Sequence, residues 1–173
     1  MKIFGIAGFK NTGKTTLVVE LLHQLQSRGL RVATIKHAHH EFDIDHPGKD
    51  SYLHREAGAE EVIISSSRRW AHICELQDGG TDGADGSAEP PLEALLDKLG
   101  DVDIVLVEGY KHGTHPRLEL RRAGQNHPEL AGSDSAIVAI VSDAPVPDAS
   151  VAVLDRANVA DITDFILRAA CEC

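Results

Sequence analysis

The sequence predicts an α/β fold, a mostly parallel sheet sandwiched by helices, with one or two antiparallel strands at its edges. Three observations carry this. Short apolar runs recur along the 173 residues, among them "MKIFGIAG", "VDIVLVEG" and "SAIVAIVSD". Runs of this kind suit strands covered on both faces. Segments with apolar residues three or four apart lie between them, as amphipathic helices require. Strands alternating with helices build a parallel sheet.

Each element has its own signal. Ile3, Phe4, Ile6 and Ala7 make the first strand. Leu17, Leu21 and Leu25, with Val18 and Leu22 beside them, form the stripe of a helix that Gly29 can end. Residues 31–36 read as a second strand. "KDSYLHREAGA" reads as a short helix stopped at Gly58, and "EVIIS" as a third strand. "WAHICEL" and "PRLELRR" alternate apolar and polar residues, which suits edge or antiparallel strands. "PLEALLDKL" is a short helix, and "VAVLD" a last strand. "NVADITDFILRAA" closes the chain with a helix presenting Val159, Ile162, Phe165 and Ile166 on one face. Residues 77–91, rich in Gly and acid, read as a mobile surface loop within one domain spanning 1–173.

The most informative stretch follows the first strand. Gly8-Phe9-Lys10-Asn11-Thr12-Gly13-Lys14-Thr15 fits G-x-x-x-x-G-K-[ST], placed between a strand and a helix as a phosphate-binding loop must be. Backbone N–H groups of such a loop surround phosphate oxygens, and the helix N-terminus adds about half a positive charge. Asn11, Thr12, Gly13, Lys14, Thr15 and Thr16 are the expected phosphate ligands. Lys14 would reach the β- and γ-phosphates, the Thr15 hydroxyl would bind Mg²⁺, and Thr16 would support the α-phosphate.

Ligands of open α/β sheets bind beyond the carboxyl ends of the strands. The phosphate loop, "KHAHH", "EGYKHG" and "SDAP" all fall there. Glu108 ends an apolar strand, where it can hold Mg²⁺ through water or position an attacking water; Asp103, at the strand's beginning, is expected to be structural. Asp45 precedes Pro47-Gly48, a turn signature, and is expected to hang over the phosphates. Asp43 and Asp50 are further acids of that loop, Asp50 also a candidate helix cap. Ser142-Asp143 ends a late strand, where the Asp143 carboxylate can accept from guanine N1–H and the exocyclic amine together. No Asn-Lys-x-Asp motif is present.

His37, His39, His40 and His46 cluster in sequence, without the helical i, i+4 spacing or nearby cysteine pair of a zinc site. Imidazoles near an anion are the better reading. Lys36, Lys49, Lys111, Arg117 and Arg121 are expected to join them in a positive pocket. Arg55 and Arg117 are the arginines nearest to a role in hydrolysis.

Composition sets outer bounds. A formal charge of −10 argues against broad binding to nucleic acid or an anionic membrane. The three cysteines, Cys74, Cys171 and Cys173, have no framework spacing, which suits a reducing cytoplasm. Cys171 and Cys173 are expected to lie in a frayed tail. No run is long enough to cross a membrane.

"GFKNTGKTTL", "TIKHAHHEFDIDHPGKDSYLHREAGA", "LVEGYKH" and "AIVSDAP", in this order, resemble the MobB family of molybdopterin-guanine dinucleotide biosynthesis, from residue 1 to about 155. The resemblance implies a GTP-binding, dimeric adapter with weak GTPase activity. It implies a partner guanylyltransferase that joins GMP to molybdopterin. By position, Asn11 to Thr16 would hold phosphates and Asp143 the guanine. Asp45, Pro47, Gly48 and Lys49 would form a second loop, and Glu108 would be the strand-end acid. Two other classes fit the residues: a small-molecule kinase, and a nucleotide-driven metallochaperone using the histidines and the Cys-x-Cys.

Overall fold

The structure is a computed structural model that describes residues 1–38, 44–76, 90–110 and 113–173. The chain divides into two compact units, Met1–His37 with Leu96–Cys173, and Ala38–Leu95.

The larger unit is built on one sheet. Its strands are β1 (Lys2–Ala7), β2 (Val32–Lys36), β5 (Ile104–Glu108), β6 (Arg117–Arg121), β7 (Ile137–Ser142) and β8 (Ala152–Asp155). They run in the order β2-β5-β1-β6-β7-β8, every pair parallel. β9 (Cys171–Glu172) pairs antiparallel with β1. The expected mostly parallel α/β fold is therefore present. The Cys-x-Cys segment is a paired strand instead of a frayed tail.

Helix α1 (Lys14–Ser27) buries Leu17, Leu21 and Leu25, the stripe visible in the sequence. Burying each leucine contributes about 1.5–3 kcal/mol. Gly29, at φ 79°, turns the chain out of the helix, and its N–H donates to Gln26 O at 2.9 Å. Helix α4 (Val159–Ala169) packs on α1. Asn158 caps it by accepting from Asp161 N at 3.2 Å. Ile162 and Ile166 enter the same core as Phe4, Ile6, Leu106, Leu118 and Val141, with Val159 and Phe165 packed at its margin. At the amino-terminal ends of the strands, Arg31 is clamped by Asp101 and Asp103 at 2.6 and 2.9 Å. Asp103 is structural, as its position suggested.

"PRLELRR" departs from expectation. β6 lies between β1 and β7, so it is neither an edge nor antiparallel. Both faces are covered, and Arg117 and Glu119 are almost completely buried.

The smaller unit holds α2 (Asp50–Glu56) and a separate two-stranded antiparallel sheet of β3 (Glu61–Ser65) and β4 (Trp70–Cys74). "EVIIS" thus pairs with "WAHIC", and not with the large sheet. Gly58, at φ 97°, follows α2, and its N–H donates to Arg55 O at 2.8 Å. A short helix α3 (Leu92–Leu96) precedes β5. The expected loop at 77–91 lies outside the described residues except for Pro90 and Pro91.

Candidate nucleotide site

The phosphate loop leaves the carboxyl end of β1 and enters α1. Asn11 adopts φ 65° and Gly13 φ 95°, so the backbone curls through left-handed conformations on both sides of Thr12. Such a curl turns successive N–H groups toward one point, where an anion sits. Gly13 is the N-cap of α1 and supplies no side-chain cap. The N–H groups of Lys14, Thr15 and Thr16 have no partner inside the helix, and they face the same concavity. Gly8 is required by space. A Cβ there would lie 2.8 Å from Leu120 O and 3.1 Å from Thr12 Oγ1.

The Lys14 ammonium donates to Gly8 O at 2.9 Å and to Phe9 O at 2.8 Å. It spans the mouth of the loop, where a polyphosphate can take over its hydrogen bonds. Thr15 and Thr16 are exposed at the first turn of α1, and no hydrogen bond holds either hydroxyl among the described residues. Thr12 is buried, and its hydroxyl donates to Phe9 O at 2.9 Å, so this side chain braces the loop. The curled backbone, the ammonium and the free Thr15 hydroxyl fit a nucleotide polyphosphate with Mg²⁺. Thr15 and Glu108 are the groups that would hold the metal, directly or through water.

Glu108 ends β5, which is flanked by β1 and β2. In register it sits beside Ile6 on one side and Lys36 on the other. That places its carboxylate at the sheet edge from which the phosphate loop emerges. The chain then turns at Gly109 (φ 98°), where a Cβ would lie 2.6 Å from His37 Cβ. The ring of Tyr110 lies 5.3 Å from that of His37. Of the expected histidine and lysine cluster, His39, His40, Lys111 and the acid Asp43 lie outside the described residues.

Arg117 does not contribute to a positive pocket. Its guanidinium donates to Gly113 O and, at 3.1 Å, to Tyr110 O, and it lies 3.6 Å from Asp134. It secures the turn that follows Glu108. Arg121 pairs with Glu129 at 3.3 Å. Both arginines are held by the protein's own acceptors.

Asp143 follows β7, two strands from β1. One of its oxygens accepts from Ala123 N at 2.6 Å, while Ser142 Oγ accepts from Ala144 N at 3.1 Å. Asp143 is exposed. The segment after β6 therefore ties this strand end to the phosphate loop: Gln125 donates to Asn11 O at 3.2 Å, and the His127 ring stacks on Phe9 at 4.5 Å. Its far end is fixed by Glu119, whose buried carboxylate accepts from Leu130 N and Ala131 N at 3.1 and 2.9 Å. Sequence reasoning missed Glu119, Gln125 and His127. A carboxylate between two leucines in a covered strand was the available signal for Glu119.

Asp45 lies in the smaller unit and is held there. Arg55 grips it with two hydrogen bonds, Nη2 to Oδ1 at 2.8 Å and Nε to Oδ2 at 3.2 Å. The same guanidinium reaches Glu75 at 2.6 Å. The hydrogen bonds from Arg55 hold the Asp45 carboxyl below its ordinary pKa. Asp45 is thus a structural carboxylate here, and Arg55 its committed partner. The expectation placed Asp45 over the phosphates; among the described residues its carboxylate is taken up by Arg55. Pro47, Gly48 and Lys49 are exposed, with Gly48 at φ 84°, and Lys49 is the N-cap of α2. Asp50 starts that helix and does not cap it.

Residues 3–143 match the family described as MobB, molybdopterin guanine dinucleotide synthesis protein B. The chain belongs to the MobB family. It is similar to the molybdopterin-guanine dinucleotide biosynthesis adapter protein of Escherichia coli K12, 38% identical over 168 residues, covering 95% of this chain and 91% of that protein. The corresponding adapter protein of Haemophilus influenzae is 34% identical, covering 95% of this chain and 86% of its own. A crystal structure of molybdopterin-guanine biosynthesis protein B superposes with a TM-score of 0.69 at 27% identity, over 96% of this chain and 98% of that one. The Bacillus subtilis MobB structure has the same fold, with a TM-score of 0.68 at 19% identity. The match of residues 3–143 takes in the phosphate loop, Glu108 and Asp143.

Proposed function

We propose that this MobB-family chain is an adapter in molybdopterin-guanine dinucleotide biosynthesis that binds GTP with Mg²⁺ and serves a partner guanylyltransferase. The observation that carries this reading is the Gly8–Thr15 loop, with its left-handed Asn11 and Gly13 and with Lys14 spanning its mouth. The adapter role rests on the names of the E. coli and H. influenzae relatives. Asp143 supports guanine as the base: it is exposed, and its carboxylate can accept from the donor edge that guanine has and adenine lacks.

Hydrolysis would be slow. Glu108 can position a water, but Arg55 and Arg117 already donate to protein acceptors. Fast phosphoryl transfer needs added positive charge on the transition state. We place the isolated protein well below the ~10 s⁻¹ median of enzymes, with its work being to present GTP or molybdopterin to the guanylyltransferase in the cytoplasm.

We further propose a homodimer. Ile44, Leu53, Ile63, Ile64, Trp70 and Leu76 are large apolar side chains left exposed in the smaller unit. A two-stranded sheet is marginal in water without a covering partner, and a second copy supplies one.

The test measures GTP turnover by the purified protein, then guanylyl transfer by the partner with and without it. Slow turnover alone and faster transfer in its presence are expected. Ordinary enzyme turnover with no effect on transfer would reject the adapter reading in favour of a kinase.

A further inference from the structure

Cys171 and Cys173 are two residues apart on the segment that pairs with β1. The ladder joins Ile3 to Cys171 and Lys2 to Glu172, and it continues with Cys173 N donating to Met1 O at 3.0 Å. Cys171 and Cys173 therefore project from one face of an extended, hydrogen-bonded segment, because side chains alternate along a strand. Met1 stands opposite Cys173, and opposed residues of a ladder share a face. Both thiols are exposed.

Strand geometry decides what such a pair can do. A rise of about 3.4 Å per residue sets the two Cα atoms, and the parallel Cβ vectors, roughly 6.8 Å apart. A disulfide needs Cβ atoms about 3.5–4.5 Å apart, which would require the strand to buckle and lose its pairing with β1. A metal bridging two thiolates needs less: bonds of about 2.3 Å set the sulfurs about 4.6 Å apart. Side-chain rotation alone can bring that about. Thiolates select soft cations, and two sulfurs with a thioether nearby suit Cu(I) in particular.

We propose that Cys171 and Cys173 form a site for a soft monovalent cation of the Cu(I) class, bridged between the two thiolates on the face of β9. Binding one Cu(I) releases the two thiol protons to solvent and changes no oxidation state. The Cys173 Sγ–H now donates to Met1 O at 3.1 Å, and that hydrogen bond is lost with its proton. The phosphate loop leaves the opposite, carboxyl end of β1, so this site stands apart from the nucleotide.

The experiment titrates the full chain anaerobically with Cu(I) against the chelator bathocuproine disulfonate. Intact mass and circular dichroism report stoichiometry and fold. One Cu(I) per chain is expected in the unaltered protein and in Cys74→Ser. Cys171→Ser and Cys173→Ser should each weaken binding at least tenfold, with an unchanged spectrum, because both side chains are exposed. Copper K-edge absorption should report a sulfur-only first shell. No retained Cu(I), or equal retention by the Cys171→Ser/Cys173→Ser double variant, would overturn the proposal. A nitrogen-dominated shell would also overturn it, by assigning the metal to histidines.

Discussion

Replacing Gly8 or Gly13 by Ala separates space from backbone strain at the two ends of the phosphate loop. At Gly13 a Cβ would meet nothing within 4 Å, so only the left-handed φ of 95° is penalised. That penalty is about 1–2 kcal/mol. At Gly8 the φ of 146° is also foreign to other residues, and the new Cβ would press on Leu120 O at 2.8 Å. Leu120 O belongs to β6, a central strand paired at this residue with Val141 of β7, and cannot move away without disturbing that pairing. Strain of about 1–3 kcal/mol combines with an overpacking cost of about 1–3 kcal/mol, giving roughly 2–6 kcal/mol. For a chain of this size about 1 kcal/mol shifts Tm by roughly 2–4 °C. Scanning calorimetry should therefore find Gly13→Ala lowered by a few degrees, and Gly8→Ala lowered by on the order of 10 °C. Both variants should bind GTP less well. Equal Tm losses, or a Gly8→Ala protein within a degree of the parent, would refute the steric argument.

Three other outcomes follow from named contacts. Asp143→Asn should weaken GTP and improve XTP, because xanthine carries a carbonyl where guanine has its amine; competition binding with both nucleotides checks this. Arg31 lowers the Asp103 pKa from 3.8 to about 2. Its stabilisation is complete above the unfolded value and is lost as pH falls from about 3.8 to about 2, so Asp103→Asn should flatten the acid limb of denaturant-measured stability in that window. Asp45, lowered by Arg55, has the same sign, so Asp45→Asn should reduce stability at neutral pH and lose progressively less than the parent on acidification below about 3.8.

What the sequence revealed was local. The loop over residues 8–15 was legible as a motif because its glycines, lysine and threonine fall within eight consecutive residues between a strand and a helix. The apolar runs of β1, β5 and β7 identified themselves because they are covered on both faces. "PRLELRR" did not, because its alternation resembles a half-exposed strand. Arg117 and Glu119 are buried with partners in the segments before and after the strand, the carbonyls of 110 and 113 and the N–H groups of 130 and 131. The partner of Asp45 was hidden for a related reason. Its turn signature is local, but the guanidinium that holds it belongs to α2, ten residues on. The pairing of β9 with β1 was hidden too, since two residues carry no periodicity.

The central claim is that the Gly8–Thr15 loop binds GTP through Lys14. Isothermal titration of GTP and ATP into the protein and its Lys14→Ala variant tests it directly. One GTP per chain is predicted, preferred over ATP. Loss of the charge-assisted contact, about 1.5–3 kcal/mol, should weaken GTP binding about 10- to 150-fold in a variant that remains folded. A folded Lys14→Ala protein that binds GTP as tightly as the parent would contradict the account.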